Sequence, residues 1–254
     1  MVGVSRSDME HGLKISNHHG DLNKPNNLKA TREIITQYGH EIDIYEIDFV
    51  SSHGRIISSH DYEGEKIRSG STLEKWIREV VINNRKILWA DIKENLPIFF
   101  SCGYGKFDTD ALFNSLNDAR KWVLENKDFD IQPYIWLGCQ EPELHEEICH
   151  RKGDWTVILD MPRVNNYILQ YIPFIPKSYL RDKICQESKE SSYRDYSIIT
   201  IDQSFFFTRK EIKDFIKSLK LAKDTKVVIN SFEKSVRPID VDGLEIIMQY
   251  NYRV

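Results

Sequence analysis

The sequence has no Cys-x-x-Cys pair, no apolar run of membrane-spanning length, no long basic stretch and no glycine-rich phosphate turn. Each absence excludes something. The four cysteines, Cys102, Cys139, Cys149 and Cys185, are scattered along 254 residues. That usage fits reduced thiols better than a disulfide framework. No stretch approaches the ~20 apolar residues that cross a bilayer. Met1 to His11 is polar and lacks the apolar centre of a secretory signal. Residues 1–11 are therefore expected to form a flexible tail, and the protein to be soluble and cytoplasmic. Lys and Arg total 35 against 39 Asp and Glu, a net charge of −4, so a nucleic-acid partner gains no electrostatic support. No linker, low-complexity tract or repeat interrupts the chain, which predicts one domain over residues 1–254.

What is present is a regular alternation. Strand-like runs are expected at Leu13–His18, Ile44–Val50, Lys86–Lys93, Ile131–Gly138, Trp155–Met161, Tyr196–Gln203, Lys226–Phe232 and Leu244–Gln249. Amphipathic helical segments are expected at Asn27–Tyr38, Leu73–Asn83, Thr109–Glu125, Glu141–Arg151, Ser178–Ser188 and Thr208–Leu221. Ser71 with Glu74, and Thr208 with Glu211, have capping-box spacing. Eight strands with crossovers in about 250 residues fit an α/β fold, a single (β/α)8 barrel. A doubly wound sheet would need a glycine-rich phosphate turn, and none is present.

Two of these strands carry acid where a buried strand should be apolar. In Ile44-Tyr45-Glu46-Ile47-Asp48-Phe49-Val50, Glu46 and Asp48 share one face, with Ile47 and Phe49 opposite. In Ile87-Leu88-Trp89-Ala90-Asp91-Ile92-Lys93, Asp91 and Lys93 share a face in the same way. Buried like charges are costly, and the usual remedy is a bound cation. His18 ends the first run and His60 lies in Ser58-Ser59-His60-Asp61. His18, Glu46, Asp48, Asp91 and Lys93 fall at C-terminal strand ends, where barrel active sites are built. A hard cation with a lysine can neutralise phosphate charge, and two near-neutral histidines can move protons.

The order His18-His19-Gly20, Glu46-Ile47-Asp48, His60-Asp61, Asp91-Ile92-Lys93 resembles the glycerophosphodiester phosphodiesterase family of phosphatidylinositol-phospholipase-C-like barrels. The likeness covers roughly the first third of the chain. It implies that Glu46, Asp48 and Asp91 hold one divalent cation, Mg²⁺ or Ca²⁺. It also implies that His18 and His60 are acid and base, and that Lys93 contacts the phosphate. The substrate would be a small-molecule or lipid-derived phosphodiester, with His19 and Trp136 as further substrate contacts. His19 stands where the family has arginine, and Asp91 stands where the bacterial enzymes usually have Glu. Asp at that position is shared with sphingomyelinase-D-like enzymes. The family's insertion after His-Asp, which helps enclose glycerol, is missing. A phospholipase or phospholyase acting on a lipid is therefore the alternative activity, and a silent phosphate- or protein-binding barrel the alternative class.

Other polar residues have plainer readings. His53, in Ser52-His53-Gly54-Arg55, reads as an exposed turn. His145, Cys149 and His150 have near-ligand spacing on one helix but too few ligands for a zinc site. Asp160, Asp202 and Asn230 lie near later strand ends as pocket or supporting residues. Two aromatic loops, Leu96–Gly105 and Tyr167–Pro176, suit lids or packing. Weak membrane-surface contact through them has no basic rim to support it.

Overall fold

The computed structural model describes residues 14–21, 24–59, 70–93, 107–139, 141–161, 176, 179, 182–183, 196–202, 208–232, 239, 241 and 243–252. Packing divides the chain into two compact units, Met1–Ser16 with Ile158–Tyr250, and Asn17–Val157 with Asn251–Val254. In the second, parallel strands alternate with helices, and in the first the described residues form four parallel strands with a helix between the middle two, the pattern of the expected (β/α)8 barrel.

The second unit begins within β1 (Lys14–Asp21). A short antiparallel return, β2 (Lys24–Pro25), pairs with its end and leads into α1 (Leu28–Tyr38). Asn27 caps α1, its side chain accepting from the Ala30 amide at 3.1 Å. Gly39 closes it, because a Cβ there would stand 2.3 Å from the Ile35 carbonyl oxygen. Then come β3 (Ile44–Ser52) and β4 (Arg55–Ser58), joined by His53 and Gly54. Both turn residues have positive φ, 51° and 70°, as a two-residue hairpin requires. The exposed-turn reading of His53 holds.

The next helix, α2, starts at Leu73 behind Thr72, not at a Ser71 capping box. After Trp76 it widens into a π-helix over Ile77–Asn83. Leu73, Trp76, Ile77, Val80 and Val81 form its buried face. Trp76 meets Phe49 of β3 edge-on, with ring centroids 6.5 Å apart. This contact fixes the outward face of β3, so Glu46 and Asp48 take the other. The unit continues with β5 (Ile87–Ile92), α3 (Thr109–Asn126), β6 (Ile135–Gly138), α4 (Pro142–Arg151) and β7 (Thr156–Val157). The strand order is β7-β6-β5-β3-β1.

In the first unit, β8 (Leu159–Met161), β9 (Ile198–Asp202), β10 (Lys226–Phe232) and β11 (Glu245–Tyr252) pair in sequence order, all parallel. Helix α5 (Arg209–Ser218) opens with the expected capping box of Thr208 and Glu211. The expected strand Trp155–Met161 is split. Its first half pairs with β6 and its second with β9, the break falling at Ile158. The aromatic loop Leu96–Gly105 lies outside the described residues, as do all of the second loop but Pro176 and all of the segment Ser178–Ser188 but Tyr179, Asp182 and Lys183. Among the described residues, no helix is long and apolar enough to cross a membrane.

Candidate active site

Strand β3 pairs with β5 so that Asp48 stands opposite Asp91 and Glu46 opposite Trp89. Residues opposite each other in a parallel ladder share a face. Glu46 with Trp89 and Trp136 therefore makes one row, and Asp48 with Asp91 and Gly138 the row above it. Glu46, Asp48 and Asp91 are 2%, 0% and 4% exposed. One ligand atom from each lies within 4.8 Å of the others. Two like charges at that outer limit repel by roughly 3.5 kcal/mol at an effective dielectric of about 20, and closer ones by more.

One cation is already built in. The Lys93 ammonium donates to Asp91 and lies 3.3 Å from Asp48 Oδ1. Burial pulls the lysine pKa down, but Asp91, Asp48 and Glu46 outweigh it and hold the value well above the ordinary one. Its amide donates to the Phe49 carbonyl at 2.8 Å, carrying the ladder one residue past β5. The Lys93 side chain keeps 23% of its surface exposed, so the cluster is reached from this strand end. The three buried carboxylates beside Lys93 form a cluster of hard oxygen donors. That donor set fits a divalent cation such as Mg²⁺ or Ca²⁺.

Asn26 was not apparent from sequence. It adopts φ 57°, a conformation asparagine tolerates better than most residues. There its amide nitrogen donates to Asp48 Oδ2 and its amide oxygen accepts from the Asp48 N–H, each at 2.9 Å. It thereby orients one carboxylate. The Asp48 carbonyl accepts from Ser59 N–H at 3.1 Å.

Cys139 and Glu141, just past β6, were also missed. The buried thiol donates to Glu141 Oε2 at 3.2 Å. Burial, then Glu141 and Asp91, push the thiol pKa well up, which leaves it an inert thiol. Burial also raises the Glu141 carboxyl, against the opposing influence of Lys93. The signal available was position: Cys139-Gln140-Glu141 follows a strand end, where barrel sites are built.

Trp136 lies in β6, 3% exposed, in the row of Glu46. His18 and His19 lie in β1, but their side chains fall outside the described residues, as does His60 altogether. His145 and Cys149 contact each other, Nε2 to Sγ at 3.4 Å. Among the described residues, the acidic cluster is the one group able to hold a metal. In the first unit, Asp160 accepts from Thr200 Oγ1 at 2.6 Å, and Asp202 stands opposite Asn230.

No family model matches this sequence, and no curated protein sequence does. Solved structures do match. The glycerophosphodiester phosphodiesterase of Agrobacterium tumefaciens is 11% identical, with 93% of this chain and 96% of that one covered and a TM-score of 0.55. The candidate glycerophosphodiester phosphodiesterase of Galdieria sulphuraria is 14% identical, with 93% of each chain covered and a TM-score of 0.55. The candidate glycerophosphoryl diester phosphodiesterase of Silicibacter pomeroyi is 11% identical, with 96% of this chain and 93% of that one covered and a TM-score of 0.54. At such low identity the likeness is one of fold, and the fold is the (β/α)8 barrel that these proteins share.

Proposed function

We propose that the protein is a divalent-metal-dependent phosphoric diester hydrolase acting on glycerophosphodiesters or similar small diesters. The observation that carries this reading is the convergence of Glu46, Asp48 and Asp91, all buried, around a single lysine. Burying three carboxylates opposes folding unless they serve a cation. The fold shared with glycerophosphodiester phosphodiesterases supports the same chemistry.

In this proposal Glu46, Asp48 and Asp91 hold one Mg²⁺ or Ca²⁺ ion, which when bound would neutralise phosphate charge and polarise the ester. Asn26 fixes the Asp48 carboxylate. Lys93, at the open edge, supplies a positive charge to a phosphate oxygen. His18 and His60 divide the proton transfers, one taking a proton from the attacking oxygen and the other protonating the leaving oxygen. His60 directly follows Ser59, whose amide is tied to Asp48. His19 and Trp136 would contact the rest of the substrate.

The lipid reading has one observation of its own. By Ser71 the chain is back at the hairpin, with Ser71 N–H bonded to Ser58 Oγ at 3.2 Å and Thr72 bridged to Ile57. Only residues 59–70 separate these two points, too short a segment for an inserted subdomain. Phosphorus NMR of glycerophosphocholine and of a lysophospholipid, each with Mg²⁺, Ca²⁺ or chelator, tests both readings. Glycerol phosphate from the small diester, formed only with metal, is the expected result. A cyclic phosphate from the lysolipid would favour the phospholyase. No turnover of either, despite metal binding, would leave a silent binding barrel.

A further inference from the structure

A second charged feature of the Asn17–Val157 unit lies outside the acidic centre. The first turns of α1 and α2 enclose an open groove of about 580 Å³ whose walls include Lys29, Arg32, Lys75 and Arg78. All four are exposed. They come from positions nearly fifty residues apart, so no basic run marks them in the sequence. Among the described residues, Arg32 is paired with Glu79, whereas no carboxylate pairs with Lys29, Lys75 or Arg78. Glu74 also lines the groove, but its carboxylate is engaged. Burial raises its pKa, yet hydrogen bonds from Thr72 and Ser115 and the charge of Arg55 bring it below the ordinary value. Counting Glu74 and Glu79 against the four cations still leaves the groove positive, in a chain whose net charge is −4.

The groove is tied to the acidic centre by a continuous chain of hydrogen bonds. Asn26 holds Asp48, the Asn26 carbonyl accepts from Ser58 Oγ at 3.0 Å, and Ser58 Oγ accepts from Ser71 N–H. Ser71 is part of the groove wall. Ser71 and Thr72, which lead into α2, are bonded to Ser58 and Ile57, level with Phe49 and Val50 of β3, so this wall of the groove lies at the strand end that carries Asp48 and Asp91. Its volume exceeds what inorganic phosphate fills and lies in the range of small-molecule sites. Two ammonium groups and a free guanidinium, with no carboxylate claiming them, are the donor set that phosphate oxygens require.

We infer that this groove binds a second phosphate-bearing group, an organic phosphate of head-group size. Such a group reaches it free in solution or as the anionic head group of a lipid surface. In the second case the surface would be held against the end of the barrel where Asp48 and Asp91 lie. Binding here does not depend on the divalent cation, so it is measured in chelator, where its failure is separate from any failure of the hydrolase reading.

Two probes separate the sources. One is calorimetric titration with sn-glycerol 3-phosphate. The other is cosedimentation with phosphatidylcholine vesicles made with or without phosphatidylglycerol. Each is run on the full chain and on the double variant Lys75→Glu/Arg78→Glu, with the thermal midpoint as a check of folding. If the reversal disturbs folding, the neutralised pair Lys29→Gln/Lys75→Gln is read instead. The expected result is binding of at least one probe, salt-sensitive and weakened about tenfold or more in the variant. Loss of the soluble probe identifies a free phosphate, and loss of vesicle binding alone identifies a lipid head group. Failure of the wild-type chain to bind either probe, or binding undiminished in a folded variant, would overturn the inference.

Discussion

Two clusters of charge in the Asn17–Val157 unit make opposite use of the same chemical groups. Around Glu46, Asp48, Asp91 and Lys93 the carboxylates are nearly fully buried and the charges are within reach of one another. Around Lys29, Arg32, Lys75 and Arg78 every side chain is exposed. Water screens the second set, so its like charges coexist at little cost. The first set has no such screening, so each buried charge must be met by an opposite charge or a hydrogen bond. A chain of hydrogen bonds through Asn26 and Ser58 joins them, yet substitutions should behave quite differently on its two sides.

The largest effect is expected at a ligand of the acidic centre. Glu46→Ala or Asp91→Ala should lower the rate of diester hydrolysis by about a hundredfold or more, with weaker activation by metal, as read from steady-state kinetics across a metal titration. An unchanged rate in Glu46→Ala would remove the cation from the account.

Lysine substitutions sharpen the contrast most directly. Lys93→Met leaves three buried carboxylates without their internal cation. In chelator it should destabilise the protein by roughly 3–5 kcal/mol, with partial recovery when a divalent ion is added. Lys75→Met, in the exposed groove, should stay within about 0.5 kcal/mol of wild type. Thermal unfolding of the two variants side by side measures the difference, and equal effects would break the comparison.

Asn26→Ala removes both bonds to Asp48 and leaves buried polar atoms unanswered. A loss of about 1–3 kcal/mol is expected by denaturant unfolding, together with an approximately tenfold weaker metal site.

A smaller effect concerns Tyr250, in the other unit. Burial pushes its phenol up to about 12, against a partial opposing influence of Arg209. Because the folded value lies above the unfolded one, this group's contribution is complete below pH ~10 and fades as pH rises toward 12. Near pH 11 the loss should be about 1.4 kcal/mol, visible as a falling thermal midpoint that Tyr250→Phe makes shallower.

The acidic centre was legible because Glu46, Asp48 and Asp91 interrupt strands that are otherwise apolar, and period-two geometry fixes which residues share a face. The alternation of strands and helices was legible for the same reason. Other features depend on tertiary pairing, which local sequence does not carry. The run Trp155–Met161 reads as one strand, and only its two partners, β6 and β9, divide it at Ile158. Ser71 and Thr72 are equally good capping residues by type, and the bond of Ser71 to Ser58 decides between them. Asn26 looks like an ordinary turn residue until β2 brings it to Asp48. The basic groove was invisible because exposed cations on helices are common, and only the packing of α1 beside α2 gathers them.

Calorimetric titration of the chelator-treated protein with Mg²⁺ and with Ca²⁺, beside the near-isosteric Glu46→Gln variant, tests the central claim most directly. The account predicts saturable binding of one ion per chain for at least one of the two metals, lost or weakened by at least about tenfold in the variant. No binding of either ion to a folded wild-type chain, or equal binding by both proteins, would contradict it.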